Sequence, residues 1–274
     1  MLSKYLSLLQ ILNILNTDTR PVILVTNDDG FQSKGIAALV EVAREFGRVV
    51  MVAPSEGQSG QSHAITVKLP LRLHRIKLDE IERYACNGTP VDCVKLAFNQ
   101  LFKGSPDLIL SGINHGSNTA EAVFYSGTMA AAMEGCIYGV PAIGFSLTDY
   151  SNDADFTAAK TFVRQIIVEA LAGGIEKNTC WNVNIPAIDT ADIKGIKICR
   201  QNRGFWKEEF ECRKDPNGHD YFWLTGVYHN TEPESTDTDE WAIQHGYVTI
   251  VPVHCDLTHY KSLPILQQRF NANS

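Results

Sequence analysis

Two adjacent carboxylates, Asp28 and Asp29, follow Asn27 and precede Gly30. Side by side they repel, and a countercharge is needed to keep both ionised. A hard divalent cation such as Mg²⁺ or Mn²⁺ meets that need, because such ions favour oxygen ligands. The same residues also make an ordinary turn, since Asp and Gly populate turns without any metal. Two further polar stretches bear on the choice. Residues 54–62 (PSEGQSGQS) hold serines that can add a neutral oxygen ligand or hold a metal-bound water. Residues 111–118 (SGINHGSN) include Asn114, whose amide carbonyl is an oxygen of the kind hard cations accept.

Strands must deliver these residues to one place. Residues 22–26 form an apolar, β-branched run that reads as a strand buried on both faces of a parallel sheet. The carboxylates then fall at its carboxyl end, where open α/β sheets place ligands. Neighbouring strand residues point to opposite faces, so both carboxylates reach one cation only if the strand has ended and the backbone turns. Gly30 permits that turn. Ile36, Leu39, Val40, Ala43 and Phe46 recur at helical spacing and predict a helix over 35–47, with Gly47 placed to stop it. A buried strand over 49–53 closes a β-α-β unit, and such crossovers imply a parallel sheet. The serine-bearing loop therefore leaves the same sheet edge as Asp28. Residues 107–110 are a further buried strand ending in the Asn114 stretch.

Two helix starts follow the same logic. Thr89 and Pro90 suit the N-cap and first position of a helix over 91–102. Asn87, Gly88 and Thr89 either only initiate that helix or also contact a phosphate, which helix N-termini attract. Ser126, Gly127 and Thr128 lead into a small-residue helix over 129–136 that can lie tight on the sheet. Its N-terminus offers free N–H groups and partial positive charge to a phosphate, although Ser126 serves equally as an N-cap. His115 has no evident partner and reads as a peripheral contact. Further strands over 140–145 and 181–185, with a helix over 156–171, continue the alternation into a doubly wound α/β architecture.

From residue 195 the texture changes. Phe205, Trp206, Phe210, Tyr221, Phe222, Trp223 and Tyr228 alternate with polar residues around an Asn217–Gly218 turn, predicting β-hairpins on a smaller appendage. Exposed aromatic hairpins become partner surfaces, so a homo-oligomer is expected. Residues 235–239 read as capping and solvating a short helix over 240–245. A strand over 247–253 and a terminal helix over 262–270 complete the chain. The expected organisation is an extension over 1–20, a core over 21–194 and the hairpin extension with its returning strand over 195–274.

The chain has 274 residues, a net charge of -7 and 44% hydrophobic residues, enough for one large globular core. The acidic balance argues against a nucleic-acid-binding surface, which shows a basic stripe. Seven cysteines occur with no Cys-x-x-Cys pair and read as reduced thiols of a cytosolic protein. Residues 1–20 carry Lys4 and a leucine-rich run interrupted by Ser7, Gln10 and Asn13. No small-residue cleavage site follows and the run is too short to span a bilayer, so an amphipathic helix or an upstream-start extension is expected over a secretion signal.

Together, residues 26–30 (TNDDG), Ala53 and Pro54 with Ser59, residues 88–93 (GTPVDC), residues 111–114 (SGIN) with Asn118, and residues 125–128 (YSGT) resemble the SurE family. Residues 246–252 (GYVTIVP) are similar to a strand of that family. Its members are metal-dependent nucleoside monophosphate phosphatases, or survival-protein 5′/3′-nucleotidases. The resemblance implies one Mg²⁺ or Mn²⁺ held by Asp28, Asp29, Ser59 and Asn114, with Asn118, Ser126, Gly127 and Thr128 around the phosphate. It also implies a Rossmann-like core, a carboxy-terminal extension exchanged in dimers or tetramers, and activity on 5′- and 3′-nucleotides, with short polyphosphate in some members. The leader and the acidic run around Trp241 depart from the pattern.

The expected chemistry is phosphomonoester hydrolysis by metal-activated water, with one of the two aspartates taking the water's proton. An Asp at the end of a first strand can also attack phosphorus itself, which is the rival route. A non-catalytic nucleotide sensor is the alternative outside enzymes. No Gly-x-Gly-x-x-Gly follows the first strand, which weighs against a dinucleotide site.

Overall fold

A computed structural model describes residues 20–207 and 209–271, so the leader expected over residues 1–20 lies outside them apart from Arg20. Among the described residues nine strands make the central sheet. They are β1 (Val22–Thr26), β2 (Arg48–Pro54), β3 (Leu73–Ile76), β4 (Glu82–Cys86), β5 (Leu108–His115), β6 (Ala142–Leu147), β7 (Thr179–Ile185), β8 (Ile196–Ile198) and β13 (Val248–His254). Their spatial order is β3-β4-β2-β1-β5-β6-β7-β13-β8. From β4 to β7 every pairing is parallel, while β3 and β13 run antiparallel to their neighbours β4 and β7. The expected doubly wound, mostly parallel α/β fold is therefore present.

Chain order turns back at β1. The chain goes from β1 out to β2 in one direction and from β5 to β6 and β7 in the other. The crevice between the carboxyl ends of β1 and β5 is thus the switch point where such sheets bind ligands. Buried aliphatic side chains explain why the strands lie here. Ile23, Leu24 and Val25 are fully buried, alternating between two cores on opposite faces. One core is roofed by α1 (Lys34–Ala43) and α4 (Thr157–Glu169), the other by α2 (Pro90–Leu96) and α3 (Gly127–Ile137).

Several local expectations need amendment. The helix predicted over 35–47 is regular only to Ala43, and Gly47 is required by packing rather than by chirality. A Cβ there would lie 2.2 Å from the Pro21 carbonyl oxygen. Residues 63–76 alternate apolar and polar side chains, which predicts an extended arm or hairpin; only β3 within them is a strand, paired with β4, whose charged composition hides it from a hydrophobic pattern. The strand predicted over 107–110 runs on to His115, with a register shift between Ser111 and Asn114.

Beyond β8 the predicted hairpins are present. β10 (Phe210–Lys214) pairs with β11 (Asp220–Leu224), flanked by β9 (Gly204–Lys207) with β12 (Val227–Asn230). α5 (Asp239–Gln244) then returns the chain to β13, and α6 (Leu263–Asn271) ends it. Phe210, Phe222, Trp223 and Leu224 are all exposed on the hairpin. All seven cysteines are free thiols, five of them buried. Among the described residues no helix is long and apolar enough to cross a membrane.

Candidate active site

β1 stops at Thr26, and the next four residues turn under the control of one side chain. The Asn27 amide donates to the Gly30 carbonyl at 2.9 Å and to Ser33 Oγ at 2.8 Å. Ser33 in turn caps α1 by accepting from the Ile36 N–H. Gly30 has φ +94°, a left-handed conformation that glycine adopts without strain. Asp28 and Asp29 are thereby presented in succession from a turn rather than from a flat strand.

Asp28 is 3% exposed and lies against the start of α3. Thr128 Oγ1 donates to Asp28 Oδ1 at 2.5 Å. Gly127 makes the approach possible, because a Cβ there would lie 2.8 Å from Asp28 Cβ and 3.0 Å from Oδ2. Burial pushes the Asp28 carboxyl up to about 6; the Thr128 hydrogen bond opposes this and the charge of Asp29 adds to it. Asp29, half-buried, accepts from the His115 N–H at 3.2 Å. Burial also raises its pKa, against the pull of that N–H.

Among the described residues no Lys or Arg forms an ion pair with either carboxylate. Two desolvated, adjacent carboxylates without a cationic side chain fit a bound divalent cation, which would supply the missing charge. The amide of Asn114 strengthens that fit. Its nitrogen donates to the carbonyls of Gly116 at 2.8 Å and His115 at 3.3 Å, leaving Oδ1 as its accepting end. Ser59 sits exposed on the loop after β2, beside Gln58, whose N–H donates to the Asp28 carbonyl at 2.7 Å. The three loop tips expected to share a cation therefore meet at the switch point through backbone contacts to Asp28 and Asp29.

The residues expected around a phosphate divide into two groups. At α3, Ser126 Oγ accepts from the Met129 N–H at 3.0 Å, so its hydroxyl is an N-cap. Thr128 gives its hydroxyl to Asp28. The backbone N–H groups of Gly127 and Thr128 belong to the first helical turn, which has no intrahelical acceptors for them. Asn118 stands further along, in a buried network. Its N–H donates to Asn184 Oδ1 at 2.7 Å, its amide nitrogen to Ser146 Oγ at 2.8 Å, and its carbonyl accepts from Asn182 at 2.7 Å. Ser146, Asn182 and Asn184 were not anticipated. Their signal is the Asn-Val-Asn alternation in β7, which puts two amides on one face of an otherwise apolar strand.

Asn87, Gly88 and Thr89 belong to a different arrangement. Thr89 and Asp92 form a reciprocal capping box at the start of α2. Thr89 Oγ1 also donates to the Ala64 carbonyl at 2.8 Å, and Asn87 Oδ1 accepts from the Arg72 N–H at 2.7 Å. A Cβ on Gly88 would lie 2.6 Å from both Asp92 Oδ2 and Leu71 Cδ2. These three residues hold the irregular arm of residues 62–72. A second anchor for that arm, also unanticipated, is Glu134 on α3, buried and paired with His63 at 2.9 Å and Lys95 at 2.8 Å. The arm borders the site, since Ser62 N–H donates to the Tyr125 carbonyl at 3.1 Å, next to Ser126. His115 keeps a peripheral place, its ring 3.0 Å from the Ser151 carbonyl.

Comparison with known proteins agrees with this fold. Residues 23–208 match the family described as Survival protein SurE. A protein of Cytophaga hutchinsonii named 5'-nucleotidase SurE is 53% identical over 247 residues, 89% of this chain and 95% of that one. One of the same name from Flavobacterium psychrophilum is 49% identical over 250 residues, 90% of this chain and 97% of the relative. The crystal structure of the SurE protein from Aquifex aeolicus superposes with a TM-score of 0.80 at 39% identity, covering 91% of this chain and all of that one. With matched sequence over most of its length and the same fold, this chain belongs to the SurE survival-protein family.

Proposed function

We propose that the protein is a metal-dependent 5′/3′-nucleotidase, releasing phosphate from nucleoside 5′- and 3′-monophosphates, with short polyphosphate as a side substrate. The observation that carries the reading is the burial of Asp28 at the switch point against the first turn of α3, with the half-buried Asp29 beside it and no basic partner for either among the described residues. The 5'-nucleotidase names of the half-identical relatives support the same chemistry. One Mg²⁺ or Mn²⁺ would be held by Asp28, Asp29, Ser59 and Asn114. Bound there, it supplies charge neutralisation for the phosphoryl oxygens and lowers the pKa of an attacking water.

The chain's own groups do the rest. The N–H groups of Gly127 and Thr128, with the positive end of the α3 dipole, bind the phosphoryl oxygens and offset the charge that grows there. Ser126 orients that turn by capping it. Asn118, immobilised by Ser146, Asn182 and Asn184, is a positioned donor or acceptor at the far side of the phosphate. Asn87, Gly88 and Thr89 act through the arm they hold, which walls the substrate side of the crevice. Asp28 accepts a hydrogen bond from Thr128, so Asp29 is the freer carboxylate to take the water's proton. The homo-oligomer, dimeric or tetrameric through the exposed hairpins, and a cytoplasmic location belong to the same reading.

Phosphate release from nucleoside 5′- and 3′-monophosphates, measured with Mn²⁺, with Mg²⁺ and with EDTA, tests the proposal. Turnover that EDTA abolishes and metal restores is expected. Tight nucleotide binding without release would instead identify a sensor.

A further inference from the structure

Residues 118–126 run between the two groups of proposed phosphate contacts, from Asn118 to the Ser126 cap of α3. The middle of that segment has a strained backbone. Ala120 is buried with φ +50°, a left-handed conformation that is costly for a residue with a Cβ. The next residue adds to the cost. Glu121, in the 3₁₀ turn Ala120–Phe124, keeps both carboxylate oxygens away from solvent, and among the described residues neither has a hydrogen-bond partner. Such a conformation persists only where its surroundings hold it.

The hold comes from far along the chain. The Ala120 N–H donates to Asp239 Oδ2 at 3.0 Å, and the Ala120 carbonyl accepts from Gln201 Nε2 at 2.8 Å. Thr119 Oγ1 donates to Glu240. The other Asp239 oxygen accepts from the Asn202 N–H at 2.8 Å and the Glu240 N–H at 2.9 Å. One carboxylate thus joins the turn at Ala120, the strap that enters β9 and the start of α5. Strap and helix start are themselves sewn together, since the Asp239 N–H donates to the Arg200 carbonyl at 3.1 Å and the Arg200 N–H to the Asp237 carbonyl at 3.0 Å. In the sequence Asp239 falls in the run read as capping and solvating α5. The cap is instead Thr238, and Asp239 is shut away from water.

We propose that Asp239 is a positioning residue for the phosphate site: its carboxylate keeps Ala120 in the left-handed turn and thereby sets Asn118 at one end of the segment and the Ser126 cap at the other. The inference rests on the nucleotidase reading, in which those two ends face the phosphate. It gives the hairpin extension a part in the chemistry, because the residues that clamp Ala120 are the ones that lead into the extension and out of it.

The test is a cycle between Ala120 and Asp239 in the full chain, with adenosine 5′-monophosphate as substrate, inorganic phosphate as product inhibitor and Mn²⁺ as the metal. Asp239→Asn keeps the shape but turns an NH₂ group toward one of two N–H donors, that of Ala120 or that of Asn202. Both kcat/KM and the affinity for inorganic phosphate should fall about tenfold, the effect of losing a charged hydrogen bond in a buried site. Mn²⁺ affinity, measured by calorimetry, should keep its wild-type value, because Asp239 contacts none of the four proposed ligands. In an Ala120→Gly background, where glycine holds the left-handed turn without a clamp, the same substitution should cost about threefold or less. Gln201→Ala removes the clamp on the other side of Ala120 and should show the same dependence on background, which decides the matter if Asp239→Asn does not fold. Equal losses in both backgrounds, a lowered Tm with unchanged phosphate affinity, or weakened Mn²⁺ binding overturns the inference. No phosphate release from the unmodified protein with Mn²⁺ would instead overturn the nucleotidase reading, and the inference with it.

Discussion

Gly127 stands so close to Asp28 that a methyl group on it would lie 2.8 Å from the aspartate's Cβ. The neighbour is not a flexible side-chain tip, because Asp28 is buried and held by Thr128 at 2.5 Å. Gly127→Ala must therefore push either the carboxylate or the start of α3 aside. Overpacking of this sort costs about 1–3 kcal/mol, and a misplacement of an ångström at reacting groups costs about 100-fold in rate. The expected result is a folded protein with slightly lowered Tm and kcat/KM reduced about 100-fold. Circular dichroism together with phosphate-release kinetics measures both. Wild-type kinetics would mean that this contact does not position the site.

The raised pKa of Asp28 gives a pH dependence with a definite sign. The carboxyl titrates near 3.8 in the unfolded chain and at about 6 in the fold. Between those values the folded state binds more protons, so without metal this group's contribution to stability falls as pH rises from about 4 to 6 and is level above that. A cation that needs the ionised carboxylate competes with the proton. The increase in Tm caused by saturating Mn²⁺ should therefore be small at pH 5 and grow through pH 7. Melting curves at pH 5, 6 and 7.5, with and without Mn²⁺, carry the test. An increment independent of pH would remove Asp28 from the ligand set.

Asn184 touches Asn118 only at a second remove from the proposed chemistry, yet it accepts the Asn118 N–H at 2.7 Å and donates to Asn182 at 3.2 Å. Asn184→Ala leaves the buried Asn118 N–H and Asn182 Oδ1 without these partners. Leaving buried polar groups unsatisfied costs about 1–3 kcal/mol. Asn118→Ala removes the amide that contacts Ser146 but leaves the backbone N–H in place. If Asn184 acts by positioning Asn118, the double variant should lose less kcat/KM than the sum of the singles, with coupling of at least about 0.5 kcal/mol. Additive losses would assign Asn184 to stability alone.

The parts of this site that were readable in the sequence are those with a one-dimensional signature. β1 announces itself as an unbroken apolar run, and Asp28 and Asp29 follow from where that run stops. Thr89 and Ser126 fall at recognisable helix starts, and both do cap helices. What stayed hidden depends on partners distant in the chain. Nothing local in Glu134 marks it as the anchor for His63, 71 residues away. Asn87 and Thr89 mark a helix start in the sequence, but their bonds to Arg72 and Ala64 exist only once the arm is folded beside them. β4 escaped because Glu82 and Arg83 break its apolar pattern, although Cys86 and Ala85 are buried. Gly47 was visible as a glycine but not as a contact with Pro21, since that approach exists only once β1 and β2 are side by side.

Water and aspartate compete as the nucleophile, and the structure separates their expectations. Asp28 has one oxygen engaged by Thr128 and the other within 3.0 Å of where a Gly127 side chain would begin, so it is wedged against a helix. Attack on phosphorus needs an in-line approach with a carboxylate oxygen free to advance, and a wedged carboxylate resists that movement. Asp29, the freer of the two, still accepts from the His115 N–H. Rapid quenching of the enzyme during turnover of a ³²P-labelled nucleoside monophosphate should therefore trap no acid-stable, hydroxylamine-sensitive phosphoenzyme. Asp28→Asn and Asp29→Asn sharpen the result. Under water attack both should weaken Mn²⁺ binding measured by calorimetry, because each removes a charged ligand. A trapped phosphoenzyme that disappears in one variant while Mn²⁺ affinity is kept would make that aspartate the nucleophile and leave the other to act on water in the second step.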